Sequence, residues 1–427
     1  MLVRMKIYFA VSYHIAMKNY LLSIICCIPL LISCQEPVPN IVIAPPNTKP
    51  DTSQTNSGNN TNNGDNSGDN GNGDNSGDNT NSGDNSGDNG NGNNGNNGDN
   101  NNGDNGNTTP EAPAVSGPVI VGYATYWDTT MPDPSLLTHI NYSFAHIKSD
   151  YETLDIKTES RLKKIVALKS SNPKLKVLLS IGGWGAGNFS EMAASAENRK
   201  GFCESCLSFV NKYGLDGIDL DWEYPTSSSA GISSSPDDTK NYTLLLKDLR
   251  ETLGKDLLIT MASSSSAKYV DFKNCIQYMD FVNLMTYDMG RPPKHHSALY
   301  PSSMTSRSVD ESVALHHNAG IPYEKIVIGA PFYCKAASSS SEGDGTYYGK
   351  MGSLFEKYQE KWDDKAMVPY LADDSGKMVF AYDNVRSIGL KADYVLQKNL
   401  LGIMFWNWEG DNTTTWELTH AMSDKLL

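Results

Sequence analysis

From residue 119 onward, short apolar runs alternate with amphipathic stretches. Eight runs read as buried strands: Val119–Trp127, His139–Ile147, Leu175–Trp184, Gly217–Tyr224, Leu257–Ser263, Phe281–Asp288, Ile326–Tyr333 and Gly402–Trp408. Most are rich in Val, Ile, Leu and aromatic residues, as parallel strands covered on both faces must be. Helical spacing of apolar positions marks Ser160–Ser171, Asn198–Tyr213, Thr239–Leu253, Ser308–Ala319, Val385–Asn399 and Thr415–Leu426. Asn172-Pro173 supplies a stop for the first of these. The alternation predicts an α/β fold, a (β/α)8 TIM barrel. An open doubly wound sheet is the alternative, but no Gly-x-Gly-x-x-Gly turn follows the first strand.

The pattern is different before residue 118. Residues 20–33 form an apolar run preceded by Lys18, too short to span a bilayer, which takes roughly 20 residues. That is the layout of a signal peptide over 1–33, with Met17 as an alternative start. It ends Leu31-Ile32-Ser33-Cys34, which resembles the lipobox of bacterial lipoproteins, so Cys34 is the expected lipidation site. Residues 51–110 hold 23 Asn, 14 Gly and nine Asp, with no Lys or Arg. Such a tract buries too little apolar surface to offset the entropy of ordering it. As a flexible coil its reach is about 40–45 Å. Residues 34–117 are therefore read as a lipidated, disordered linker and 118–427 as the folded unit. Calcium binding by the Asp-Gly repeats is a weaker reading, since no apolar residue recurs to build a stacked core.

Charge narrows the function classes. The chain carries −14, of which −9 belongs to the linker and −8 to residues 111–427, the first fifty residues being +3. A mildly acidic folded part argues against nucleic acid as the partner.

Barrel enzymes collect their chemistry at the carboxyl ends of the strands. Unusual residues cluster there: Trp127, Trp184, Asp221 with Glu223, Tyr287 with Asp288, Tyr333 and Trp406. The strongest signal is Asp216-Gly-Ile-Asp219-Leu-Asp221-Trp-Glu223-Tyr224-Pro. Along a strand, Asp219, Asp221 and Glu223 share one face, and Ile218, Leu220 and Trp222 the other. Three carboxyls about 7 Å apart inside a barrel cannot all ionise cheaply, so some must hold protons near neutral pH. A magnesium or calcium site is the rival reading, but no His cluster accompanies the carboxylates. Trp222 is read as packing and Asp216 as structural.

The Asp216–Glu223 motif followed by Tyr-Pro resembles the signature of glycoside hydrolase family 18, the chitinase family. Ser180-Ile-Gly-Gly-Trp184, Met285-Thr-Tyr-Asp288, Gly402-Ile-Met-Phe-Trp406, Val121-Gly-Tyr123 and Asn141-Tyr-Ser-Phe144 resemble its other strand motifs. The resemblance covers residues 118–427. It implies substrate-assisted, retaining hydrolysis of β-1,4-linked N-acetylglucosamine glycans with no cofactor and no metal. It implies Glu223 as general acid and base. Asp221 would bond the acetamido N–H, Asp219 would sit below and share its proton, and Tyr287 would orient the acetamido carbonyl. Trp406 would be the floor under the reacting sugar. Trp184, Tyr224, Met285, Asp288, Phe144 and Tyr333 would line the substrate site. Tyr123 and Ser180, counted with that set, would partner the lower aspartates. Tyr123 and Phe144 also fit a plain core role, and Trp127 is equally open.

Between Tyr333 and Val385 there are ~50 residues, a shortened version of the insertion many family members carry after the seventh strand. A shallow, open groove and a non-processive enzyme are expected. Alternatives within the resemblance are an endo-β-N-acetylglucosaminidase that cuts the chitobiose core of N-glycans, or an inactive lectin-like member. The resemblance and leader together imply a monomer, lipid-anchored at the cell envelope of a bacterium, on the outer membrane or cell surface. His295-His296 and His316-His317 have no ligand pattern and are expected on the surface. Cys203-x-x-Cys206 lies on a predicted helix, open to either free thiols or a local disulfide.

Overall fold

The computed structural model describes residues 115–427. The leader, Cys34 and most of the linker lie outside the described residues. Eight parallel strands close into a barrel: β1 (Val119–Thr125), β2 (His139–Ile147), β4 (Lys176–Gly182), β5 (Gly217–Asp221), β6 (Leu258–Ser264), β7 (Phe281–Met285), β8 (Ile326–Pro331) and β13 (Gly402–Trp406). Each pairs with its sequence neighbour in the barrel, and β1 pairs with both β2 and β13, which closes the ring. A short strand, β3 (Leu154–Ile156), adds to β2 antiparallel. All eight predicted runs are strands. Six of the runs overshoot at their carboxyl ends, where Trp127, Trp184, Glu223, Tyr287 and Tyr333 lie past the ladder; His139–Ile147 coincides with its strand, and Leu257–Ser263 stops one residue short of Ser264.

Alternation on each strand sends one row of side chains inward and the other outward under the helices. The outward row forms one large core with the helices Ala196–Tyr213, Asp238–Leu253 and Val385–Lys398. Trp222 belongs to this layer. It is 2% exposed, stacks on Phe189 at 5.2 Å and meets the Tyr242 ring edge-on at 5.6 Å. Asp216 stands at the entry of β5, paired with Lys169 and Lys176 and accepting from the Val177 N–H. Cys203, Cys206, Cys275 and Cys334 are buried free thiols.

Between β8 and the helix Val385–Lys398 the chain builds a second, four-stranded antiparallel sheet. Its order is β10 (Gln359–Asp363), β11 (Val368–Ala372), β12 (Met378–Ala381) and β9 (Lys335–Ala336). Its own apolar cluster includes Met351, Leu371, Phe380 and Tyr382. Buried polar bonds tie it to the barrel. Lys391 Nζ donates to both Asp383 oxygens at 2.8 Å and to Ser297 Oγ at 2.7 Å, and Lys391 and Asp383 are fully buried.

Candidate active site

The carboxylate ladder is built by β5. Asp219 and Asp221 are its third and fifth residues and both point into the barrel, fully and nearly fully buried. Glu223 follows two residues past the end of the strand. Asp219 accepts four hydrogen bonds: Tyr123 Oη (2.9 Å) and Ser180 Oγ (2.8 Å) at Oδ2, Thr260 Oγ1 (2.6 Å) and Asn283 Nδ2 (3.2 Å) at Oδ1. The donors come from β1, β4, β6 and β7, so the inward residues of four other strands converge on one carboxylate. Burial raises the Asp219 carboxyl, and these bonds pull it back.

Asp221 has no such support. Burial and the neighbouring Glu223 and Asp219 push its carboxyl well above the ordinary carboxylate range, and its Oδ1 is buried without a partner. Burial pushes Glu223 up to about 7; the Tyr224 bond opposes this and Asp288 adds to it. The ladder therefore carries protons near neutral pH, as three buried carboxyls in a row require. None of the four bonds to Asp219 comes from Asp221. Proton sharing between the two, expected from the sequence, has no hydrogen bond to carry it in this arrangement.

Above the ladder lies a cavity of about 320 Å³ at the carboxyl ends of the strands. Ten of the predicted residues line it: Phe144, Trp184, Asp221, Glu223, Tyr224, Met285, Tyr287, Asp288, Tyr333 and Trp406. Tyr123 and Ser180, counted with the substrate-binding set, do not. They are 1% and 0% exposed and their hydroxyls are committed to Asp219, so they support the ladder from below. Trp406 lines the cavity, stacked on Phe144 at 5.5 Å and tilted against Tyr123 at 5.7 Å. Trp184 stands on the rim, 63% exposed.

The motif around Trp184 is explained by close approach. A Cβ on Gly182 would lie 2.1 Å from Asp221 O, and one on Gly183 would lie 2.7 Å from the Phe144 ring; both have positive φ. Only glycine lets the end of β4 pass this close to the Asp221 backbone and the Phe144 ring.

Tyr287 Oη makes only a 4.0 Å contact to Met404 Sδ. Burial, then Asp221 and Glu223, keep its hydroxyl protonated well above the usual range. Asp288 takes Tyr333 Oη at 2.9 Å and has Lys335 Nζ at 3.1 Å and His296 Nδ1 at 3.4 Å. Burial works to raise Asp288, but His296, Lys335 and Tyr333 outweigh it and hold the carboxyl below its ordinary value.

The histidine expectation is overturned. His295, His296 and His316 are buried and only His317 is exposed. Tertiary partners make burial tolerable: His295 Nε2 meets Asp363 Oδ2 at 3.1 Å and His316 Nε2 meets Ser263 Oγ at 2.9 Å. Sequence reading also missed Ser264 and Ser265 in the cavity wall, and Thr260 and Asn283 under the ladder. For Thr260 and Asn283 the signal was present as a polar residue inside an apolar run; Ser264 and Ser265 lie in a serine run at the end of the strand and carried none.

Residues 119–411 match glycosyl hydrolases family 18. The chain is 34% identical to Chitinase A1 of Niallia circulans over 311 residues, 62% of this chain and 44% of that one. Among solved structures, chitinase ChiW from a Paenibacillus species, described as cell-surface-expressed, superposes with TM-score 0.66 at 33% identity. That match covers 72% of this chain and 42% of ChiW. A family 18 N-acetylglucosaminidase from Paenibacillus barengoltzii superposes with TM-score 0.62 at 37% identity, covering 72% and 98% of the two chains. The chain thus spans less than half the length of Chitinase A1 and ChiW.

Proposed function

The chain belongs to glycosyl hydrolases family 18, and on that premise we propose that it hydrolyses β-1,4 linkages between N-acetylglucosamine units with retention of configuration. The observation that carries this is the ladder itself. Glu223, its carboxyl raised to about 7, stands beside a buried Asp221 whose Oδ1 has no partner. An acid poised near neutral pH can protonate the leaving oxygen. An unpartnered carboxylate oxygen suits an acetamido N–H and the positive charge that develops on it.

In this reading the substrate's own acetamido oxygen attacks the anomeric carbon while Glu223 gives its proton to the departing sugar. Tyr287 Oη, free of any strong acceptor, donates to that acetamido oxygen and fixes its line of attack. Tethering the nucleophile to the substrate replaces a bimolecular step and lowers the entropic part of the barrier. Glu223, now ionised, takes a proton from water, which opens the oxazolinium ring. Trp406 offers its face to the reacting sugar.

The tests are direct. Incubation with chitooligosaccharides is expected to release shorter oligomers, and Glu223→Gln to lower kcat by about 10²–10⁴-fold. Full activity in Glu223→Gln would remove the acid from Glu223. Cleavage of a high-mannose glycoprotein but not of the oligomers would move the substrate to the chitobiose core of N-glycans. The open rim at Trp184 and the small inserted sheet support a non-processive enzyme. Near-exclusive release of dimers from crystalline chitin would count against that. The leader and Cys34 support a lipid-anchored enzyme at the bacterial cell envelope, with residues 34–117 as its tether. Metabolic labelling with an alkyne fatty acid that is lost in Cys34→Ala would establish the anchor.

A further inference from the structure

Trp127 lies in the loop that leaves β1, outside the cavity described above. It is 53% exposed, its ring meets Tyr126 edge-on at 4.8 Å, and it stands 6.4 Å from the Trp406 ring. A large exposed ring on a loop holds a defined direction only if the loop backbone is anchored.

The anchor is a buried ion pair from two distant parts of the chain. Arg161, on the helix Glu159–Ala167, donates from Nε to Thr125 O at 2.6 Å. Its Nη2 donates to Thr130 O at 3.0 Å and to Glu409 Oε1 at 2.9 Å. Glu409 Oε1 also accepts the Thr125 N–H at 2.9 Å. Both backbone groups of Thr125 and the carbonyl of Thr130 are thus held, and these bracket Trp127. Glu409 sits in the turn Trp408–Gly410, three residues after Trp406. One carboxylate therefore ties the Trp127 loop to the strand end that carries Trp406. Arg161 is 5% and Glu409 4% exposed.

Stability is a poor reason to keep such a pair. Desolvating two charges costs about as much as their attraction returns, and apolar replacements are often as stable. Glu409 Oε2 and Thr125 Oγ1 are buried without partners, a further cost an apolar design would avoid. What the pair supplies is geometry: a planar guanidinium fixes two carbonyls and a carboxylate in one plane.

We propose that Arg161 and Glu409 are positioning residues that hold the Trp127 ring as an outer wall of the glycan groove, in register with Trp406. They act on the binding of sugars distant from the cleaved bond and touch none of the reacting atoms. The inference rests on the glycan reading of the groove.

The test compares the full chain with Glu409→Gln, Trp127→Ala and the double variant. Each is assayed on the hexamer of N-acetylglucosamine and on a chromogenic disaccharide glycoside. Glu409→Gln is expected to lower kcat/KM on the hexamer about fivefold to twentyfold more than on the disaccharide, chiefly through KM. Trp127→Ala should show the same length dependence. The double variant should fall within about twofold of Trp127→Ala alone, because coupled residues are not additive. Arg161→Lys, which keeps the charge but not the planar fork, should give an intermediate ratio. It stands in if Glu409→Gln fails to accumulate. Equal losses on both substrates, with a lowered melting temperature, would reduce the pair to a structural one. A double variant with fully multiplied losses would also overturn the proposal. A wild-type protein that cleaves neither substrate would instead overturn the glycan reading.

Discussion

The Tyr123 hydroxyl donates to Asp219 Oδ2 at 2.9 Å, joining the first barrel strand to the foot of the carboxylate ladder 96 residues away. With Ser180, Thr260 and Asn283 it saturates a buried carboxylate. This makes Asp219 a fixed point on which Asp221 and Glu223 stand.

Asp219→Asn puts an N–H₂ group where one pair of donors now meets an oxygen. The Tyr123 and Ser180 hydroxyls can turn to accept from it, but their own O–H groups then lose the acceptor they have at Oδ2. The variant is expected to lose about 1–3 kcal/mol for each polar group left unsatisfied. A drop in urea midpoint at unchanged m-value measures it. An unchanged midpoint would show that the four bonds are not what holds the ladder.

Tyr287→Phe should behave oppositely. Its hydroxyl makes only the long contact to Met404 sulfur, so its removal leaves no partner stranded. Stability is expected to shift by less than about 0.5 kcal/mol, while kcat falls by about 10²–10³-fold for loss of one donor to the reacting group. Thermal melts run beside steady-state assays separate the two, and a variant as active as wild type would take Tyr287 out of the mechanism.

The pH dependence follows from Glu223. As the acid it must be protonated, so kcat/KM is expected to fall as pH rises through about 7. Stability moves in the same direction. Glu223 and Glu409 are both raised to about 7 in the folded chain, Glu409 mainly by burial, against a usual value of 4.5. The folded state therefore binds more protons than the unfolded state between these values. Stability conferred by these groups is complete below the unfolded value and declines as pH climbs to about 7. Glu223→Gln should flatten part of that slope and stabilise the protein at pH 8 by on the order of 1–3 kcal/mol. An identical slope in the variant would place the proton uptake elsewhere.

Lys391→Met strands Asp383, fully buried with both oxygens facing the lysine. A loss of about 3–5 kcal/mol is expected from the uncompensated charge. The double variant Lys391→Met with Asp383→Leu should recover most of it in the same thermal melt.

The barrel was legible because eight buried strands leave eight apolar runs, and only their ends were misplaced. Trp127, Trp184 and Tyr333 prolong the strand pattern past the last ladder bond, since aromatic residues at a groove rim look like strand residues. The insertion between Tyr333 and Val385 was legible from its length and the family resemblance, but the strands of its sheet were not. Its edge strand Gln359–Asp363 reads Gln-Glu-Lys-Trp-Asp, with the first three residues exposed, and carries no apolar alternation. The carboxylate ladder was legible from its period of two. The buried histidines were not, because a His beside a His looks solvated until Asp363 and Ser263, far along the chain, are brought to it. Glu409 escaped for the same reason: its partners Thr125 and Arg161 lie 284 and 248 residues away.

The four thiols within the described residues have a practical consequence. No sulfur–sulfur bond holds the barrel, and each Cys is a small apolar side chain inside the core. Burial also raises all four thiols, keeping them in the unreactive protonated form. A reductant therefore finds no sulfur–sulfur bond to break among the described residues, so reducing conditions leave the covalent framework of the folded barrel unchanged.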